Sequence, residues 1–418
     1  RLDGSDGRDS WTTRRVGFRT DWDANTGDGL TFLGEAYSGS FDVAGPENTT
    51  VSGGHLLGRW SRQLANNADC KVQLYYDYTH RRIPGSFTQT LDTYDLDAQY
   101  RRALGAANDF VCGFGYRLVQ DDVINTPANA FLPPQVGLRS FNGFVQDEVR
   151  LLDDSLHLTF GSKLEHNDYT GFEVEPSVRF AWTFARNQTV WGAVSRAIRT
   201  PSRIDRDLYS PAKPPYRVAG SSNVVAEKLI AYELGYRVQL EPELAVSLAA
   251  FFNDYDDLRS LEPLNPPRAF PVQNSSGLRG RSTGAELTVD WRATSAWRWR
   301  AGWTELRVHS EPQAGNRDRG TRDSIARDPN HQFALRSMLD LSSKWECDVT
   351  ARYVAPIRMS SVSGYTEADV RLGWSPSAAW EFSLIGQNLL HDQHVEFNPP
   401  GARRGQQRSV FGKGSRRF

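Results

Sequence analysis

The chain has 418 residues, of which 24% are charged, and a formal net charge of −1, so nothing in its charge balance calls for nucleic acid as a partner. No run of residues approaches the eighteen or so consecutive apolar positions that a spanning helix needs, which excludes a helical membrane protein. A membrane β-barrel stays open because its strands are only half apolar, and 12 Trp, 15 Tyr and 21 Phe against 2 Met suit its interfacial girdles as well as they suit a soluble β-sandwich.

In chain order, the first strand falls near 11–22, and from there the dominant signal is period-two alternation. Phe110, Cys112, Phe114, Tyr116 and Leu118 form one apolar row. Ala285, Leu287, Val289 and Trp291 alternate with Glu286, Thr288 and Asp290. Trp297, Trp299, Ala301 and Trp303 alternate with Arg298, Arg300, Gly302 and Thr304. Further on come Trp345, Cys347, Val349, Ala351 and Tyr353, then Ala368, Val370, Leu372 and Trp374, again with charged residues between them. A helix would show apolar residues three and four apart, and these segments do not. The three cysteines, Cys70, Cys112 and Cys347, are too scattered for a disulfide framework or a zinc pattern, and Cys112 and Cys347 read as small apolar side chains.

Connections sort by length. Short polar turns are expected at 25–29, 66–69, 105–108, 153–154, 186–188, 241–242, 294–295, 342–343 and 375–378. Longer connections are expected at 39–52, 81–87, 120–138, 167–171, 200–225, 255–279, 310–329, 355–363 and 390–407. Such parity is the pattern of an outer-membrane barrel, with short periplasmic turns and long extracellular loops. The count is about 19 strands. An odd count places the N-terminal end outside the cell, with residues 1–10 in an extracellular loop, and leads to the expectation that the chain lacks its beginning, since single-chain barrels normally have even numbers. The chain opens on Arg1 without a signal peptide, as a processed or incomplete secreted protein would.

Five segments, in order, resemble TonB-dependent receptors. Residues 143–151 (GFVQDEVRL) carry the Gln146, Asp147, Glu148 step, with Val149 where the family commonly has Trp. Residues 195–203 (SRAIRTPSR) are similar to the Ser-Arg-Ala-Phe-Arg-Thr-Pro pattern, with Ile198 for Phe. Residues 228–237 hold Glu233 and Gly235 of a Glu-x-Gly-x-Arg strand, and 274–287 hold Gly284 and Glu286 of a Gly-x-Glu strand. Residues 387–397 carry Asn388 and Leu389 of the Asn-Leu motif, with His391 interrupting the Leu-Asp step and His394 in place of Tyr. The last strand ends in Phe418, which resembles the terminal aromatic that the barrel-assembly machinery recognises, although Gly414 and Ser415 are less apolar than the family's residues there.

The resemblance implies an all-β fold: a transmembrane antiparallel barrel of 22 strands, of which about 19 are visible, in the outer membrane of a Gram-negative bacterium. It implies residues 1–418 as one barrel domain, without the plug domain that precedes it in the family and without the box that contacts TonB. It also implies active uptake of a scarce extracellular ligand, most commonly a ferric siderophore or other iron complex, with cobalamin, haem and glycans open. The partners are then outer-membrane lipid, the assembly machinery, the TonB complex through the plug, and the ligand; no intrinsic cofactor and no nucleic acid are expected. By itself the barrel is expected not to support energised transport. The alternatives are a passive porin or substrate channel, and a soluble secreted glycan-binding β-protein.

Among individual residues, Arg196, Arg199 and Arg203 form the most notable cationic group. Guanidinium forks suit a plug or an anionic ligand; lumen lining that pairs with Asp205, Asp207 or plug carboxylates is the favoured reading, because lumen faces elsewhere carry both signs. Arg298, Arg300, Arg336, Arg352 and Arg371 are matched by Glu286, Asp290, Asp340, Asp348 and Asp369, so a strongly cationic pore is not expected. Tyr209, Tyr216 and Phe270 lie in the longest loops, suited to stacking on a cyclic ligand or to packing over the barrel mouth. His391 and His394 make an H-x-x-H pair that lacks a ligand-spaced carboxylate cluster, so no metal site is assigned. The FGKGS segment at 411–415 lacks the first glycine and the helix of a phosphate loop, with Gln407 in the glycine's place. No nucleophile motif is present, and no catalytic residue is assigned.

Overall fold

The computed structural model describes residues 10–25, 27–42, 47–265, 268–318, 320, 327–357, 360–397 and 405–417. The chain opens with β1 (Trp11–Asn25), β2 (Asp28–Phe41), β3 (Thr49–Leu64), β4 (Ala68–Ile83), β5 (Phe87–Leu104) and β6 (Asn108–Asn125). After a two-residue β7 (Ala130–Phe131) come β8 (Gln135–Leu151), β9 (Leu156–Asn167), β10 (Gly171–Ala185) and β11 (Gln188–Arg199). A one-turn helix, α1 (Arg203–Arg206), and two short strands, β12 (Leu208–Tyr209) and β13 (Val218–Ala219), precede β14 (Glu227–Glu241), β15 (Leu244–Pro263), β16 (Val272–Thr294) and β17 (Trp297–Pro312). The chain closes with β18 (His331–Ser342), β19 (Trp345–Val354), β20 (Tyr365–Ser377), β21 (Trp380–Gln387), short β22 (Gln393–Val395) and β23 (Gly405–Gln407), and β24 (Ser409–Arg416).

Nineteen of these strands form an up-and-down meander in which each long strand pairs antiparallel with the next, the number the alternation predicts. The short β13 adds in parallel to β16 and brings the sheet to 20 strands. The edges are β1 and β24, which are not paired with each other among the described residues.

Register carries one apolar row from strand to strand, as in Phe32, Gly58, Leu74, Leu96, Tyr116 and Phe141. All three cysteines lie in this face: Cys70 and Cys112 both oppose Tyr100, and Cys347 opposes Leu339 and Leu372. The row is bare: Leu56, Leu74, Leu234 and Leu384 are each 56–61% exposed. Among the described residues no second sheet packs on it, and this argues against the soluble-sandwich alternative, in which those residues would form the core. A contiguous apolar surface of this kind suits the hydrocarbon of a membrane.

Aromatic residues bracket the row. Trp345, Trp374, Phe382 and Trp380 touch in sequence at the short-turn end, with ring centroids 5.8–5.9 Å apart. Tyr353 stands at the other end of β19, opposite Phe333. The eight steps from Trp345 to Tyr353, at about 3.3 Å each on a strand tilted by about 40°, rise roughly 20 Å, close to the apolar band of a membrane barrel.

Loop parity holds, with three connections shorter than the pattern requires. Those at 84–86 and 168–170 are three-residue turns, the latter already short in the sequence, since Ile83 opposes Phe87 and Asn167 opposes Gly171. Likewise β15 runs to Pro263 and β16 begins at Val272, so the loop expected at 255–279 shrinks to 264–271. The physical reason is common to all three. Beyond the apolar band both faces of a strand meet water, the alternation fades, and a paired strand looks like loop in the sequence.

A polar-lined wall has no packed core of its own, and the residues buried most fully, Leu278, Glu367, Asp205 and Ser260, all lie at the long-loop end. The final strand is β24, with Gly412 and Gly414 opposite Leu384 and Phe382. Phe418 lies outside the described residues.

Candidate functional site

At the long-loop end, four connections fold against one another. In α1, the Asp205 carboxylate accepts from the Ser202 amide and hydroxyl, both at 2.9 Å, which fixes the turn that follows β11. That turn presents Arg203, 7% exposed, to Asp121 at 3.1 Å on β6 and to Asp207 at 3.0 Å. Its guanidinium also donates to the Pro133 carbonyl and lies 5.2 Å over the Phe131 ring. Leu208 and Tyr209 pair with Phe131 and Ala130, joining the same two connections through β12 and β7.

The turn after β9 joins through Tyr169. Its hydroxyl donates to Asp207 at 2.9 Å, and Arg206 lies over its ring and donates to its carbonyl. Arg259, from the extended end of β15, donates to Asp205 at 3.0 Å, and Arg199 grips Glu227 with two hydrogen bonds of 2.6 and 2.8 Å. Arg199, Arg203 and Arg259 thus pair with Asp121, Asp205, Asp207 and Glu227, and Arg206, beside Tyr169, supplies a fourth cation to the four carboxylates. Burial by itself would push the Asp205 carboxyl up; the Ser202 donors and the Arg259 and Arg199 guanidinium groups outweigh it and hold the carboxyl below the usual range. Burial and the bond to Asp207 push the Tyr169 phenol well above its ordinary value.

Of the three candidate arginines, Arg199 and Arg203 therefore meet here, both paired. Arg196 does not join them. Its register partner is Ile230, on the bare apolar face, and its guanidinium turns to Glu173 at 3.1 Å and to the Val174 carbonyl. Its expected place in the lumen lining is thereby corrected: alternation puts Ser195 and Ala197, not Arg196, on the polar side. Tyr209 and Tyr216 do meet, with ring centroids 5.1 Å apart. Beside them β13 runs against β16, which brings exposed Arg217 over the exposed Phe270 ring at 5.6 Å. Lys213, Arg217 and Arg268 have no ion-pair partner among the described residues.

The family-motif positions follow the wall. Glu148 lies on the polar face, bonded to His157 at 3.1 Å, and Gln146 shares that face. Asp147 instead opposes Phe110 and Phe160 on the apolar face, where it accepts from Asn108 at 2.6 Å. Gly235 and Gly284 are required by close approach: a Cβ at Gly235 would sit 2.2 Å from the Trp191 ring, and one at Gly284 would sit 2.4 Å from the Phe251 ring. Glu233 and Glu286 are exposed on the polar face with no side-chain partner among the described residues. Asn388 closes β21 in a left-handed conformation (φ 55°), accepting from Arg352 at 2.6 Å, and Leu389 packs beside Gly386.

The polar face is paired much as expected. Asp290 lies between Arg298 and Arg300, Arg336 meets Asp348, and Arg352 meets Asp369. Glu286 and Asp340 are corrections, since neither pairs with an arginine; Glu346 and Glu381 take Arg371 instead. Among the described residues no group of three or more His, Cys, Asp or Glu is arranged to hold a metal ion.

The family described as "TonB dependent receptor-like, beta-barrel" matches residues 1–389. The chain belongs to this family. It is an outer-membrane β-barrel of a Gram-negative bacterium, in a family of transport receptors rather than enzymes, and the bare apolar face is its lipid face. The long-loop end is accordingly extracellular and the polar face is the lumen. The siderophore receptor PirA from Acinetobacter baumannii superposes with a TM-score of 0.81 at 14% identity, over 100% of this chain and 72% of that one. The copper transporter OprC superposes at 0.78 and 14%, over 100% and 73%. The iron-regulated outer membrane virulence protein of Vibrio cholerae is 30% identical over 184 residues, which is 42% of this chain and 28% of that protein.

Sequence reasoning missed Asp121, Tyr169, Arg206, Glu227 and Arg259. Each is an ordinary polar residue near a strand end, and only the meeting of connections far apart in sequence gives it a role.

Proposed function

We propose that this barrel is the wall and extracellular mouth of an active-uptake receptor for an anionic iron complex, a ferric siderophore being the simplest member of that class. The observation that carries the reading is the exposed Arg217–Phe270 pair, flanked by Lys213, Tyr216 and Arg268, on a rim of folded loops above a polar lumen. Unpaired guanidinium and ammonium groups next to aromatic faces suit an anionic ligand with rings. Arg199, Arg203 and Arg259 are paired with carboxylates and Arg206 is held by Tyr169, so these four serve to shape the rim.

A barrel wall of this many strands encloses a lumen that needs a plug, and active uptake needs that plug to move only when energised. We assign that part to a plug domain of the same receptor, with TonB as the source of energy. Residues 1–418 then act as its barrel domain, and Glu233 and Glu286, unpaired on the lumen wall, are the carboxylates that basic plug residues would meet. The siderophore receptors among its structural relatives and the iron-regulated relative from Vibrio cholerae favour iron over other cargo.

The test is uptake of radioactive iron, supplied as catecholate, hydroxamate or carboxylate chelates, by cells deleted for the gene and by cells carrying the full gene. The expected result is uptake of at least one chelate that requires both the gene and TonB. Equal uptake in both strains, or steady ion conductance of the intact receptor in a planar bilayer, would refute the proposal.

A further inference from the structure

A second buried charge cluster lies at the extracellular rim, away from the Arg203 network. Glu367, near the start of β20, is 0% exposed. One of its carboxylate oxygens meets His391 Nδ1 at 2.8 Å and His394 Nδ1 at 3.1 Å, and the other accepts from the Leu390 amide. The other nitrogen of His394 lies 3.0 Å from Glu396. Tyr365 stacks on the His394 ring, with centroids 4.3 Å apart, and donates to Glu396 at 3.2 Å. From β19, Arg352 reaches Asp369 at 3.0 Å, Glu396 at 3.7 Å and the Asn388 side chain. Asp392 and Arg408 pair with each other farther out, at 3.2 Å.

Among the described residues the cluster therefore sets three carboxylates, Glu367, Glu396 and Asp369, against a single fixed cation, Arg352. It falls two positive charges short of balance, and two imidazolium rings supply that number. His394 makes the same point atom by atom. A neutral imidazole has one bare nitrogen, yet both nitrogens of His394 face carboxylate oxygens, and Nδ1 is a buried atom without an aligned hydrogen bond. A proton on each nitrogen satisfies both carboxylates.

The geometry points to a proton-operated latch: residues 388–397, which follow β21, are fastened to the barrel rim at Glu367 through His391 and His394 when the two rings are charged and are released when they lose that charge. Each ring gains a carboxylate in the fastened loop, so proton binding and fastening favour each other. Imidazole is the side chain that ordinarily changes its charge between about pH 5 and 8, so a comparison of two such conditions reads the latch. The latch concerns the position of one extracellular loop and holds whatever cargo the receptor carries.

Amide exchange of residues 388–397 and 405–407 tests it, in the full chain in detergent micelles at pH 5.5 and pH 8, corrected for the intrinsic pH dependence of exchange. The expected result is about tenfold or greater loss of protection at pH 8, confined to these residues. In a His391→Gln, His394→Gln variant the two pH values should give the same protection. Equal protection at both pH values in the unmodified protein overturns the latch without recourse to any variant. So does a pH response that survives in the double variant, or protection that appears only with added zinc ion and is lost on chelation.

Discussion

Replacing Arg203 by Met tests whether the extracellular loops form one folded unit. Arg203 is 7% exposed and its partner Asp121 is 4% exposed, so the change leaves a buried carboxylate with Gln89 as its remaining donor, at 3.0 Å. Asp207 keeps the Tyr169 hydroxyl and suffers less. Breaking a buried pair from one side costs about 3–5 kcal/mol. At about 1.4 kcal/mol per factor of ten, the open population of the loop cluster rises by roughly two to four orders of magnitude. Cleavage by proteinase K reads that population when reclosing is fast. Digestion of the receptor in micelles should therefore cut the variant within residues 126–134 and 203–224 at least a hundredfold faster, while the strands stay intact. Adding Asp121→Asn, which removes the stranded charge, should recover a good part of the resistance. Unchanged cleavage in Arg203→Met, or equal acceleration throughout the strands, would refute the reasoning.

The remaining expectations concern the wall, the proton balance and the rim. Gly235→Ala drives a Cβ into the Trp191 ring and should lower the yield of heat-modifiable, folded barrel on gels by a cost of about 1–3 kcal/mol, with rescue by Trp191→Ala. Because Asp205 is held below the usual carboxyl range, its contribution is present at neutral pH and lost as pH falls below that range; amide exchange in 202–209, corrected for its intrinsic pH dependence, should speed up as the protein is acidified through it and respond less in Asp205→Asn. Arg217→Ala and Phe270→Ala should each weaken binding of an anionic iron chelate to the full receptor by about 3- to 30-fold, on the scale of one cation–π contact, with no change in barrel folding; titration calorimetry reads this directly.

The wall was legible in the sequence because lipid on one side and water on the other force alternation, residue by residue, as in Trp345 to Tyr353. Where that asymmetry ends, legibility ends with it: Arg81 and Arg82 read as loop yet belong to a paired strand. The candidate site was legible in kind and not in arrangement. Arg203 stood out from its motif, and its pairing with Asp207 four residues on was open to view, whereas Asp121 lies 82 residues away and became its partner only through the meeting of two loops. Arg196 was misplaced because a motif was read as a block, when parity within it already put Arg196 opposite Arg199.

The two parts of the molecule resist heat by different means. The wall is laced by backbone hydrogen bonds along every strand, while side-chain burial is concentrated at the long-loop end, around Leu278, Ser260 and Asp205. Two melting events should follow, the outer one first. Mild warming would then leave a barrel that still withstands detergent on a gel while its extracellular loops have opened, so resistance to detergent is no proof that the long-loop end is folded.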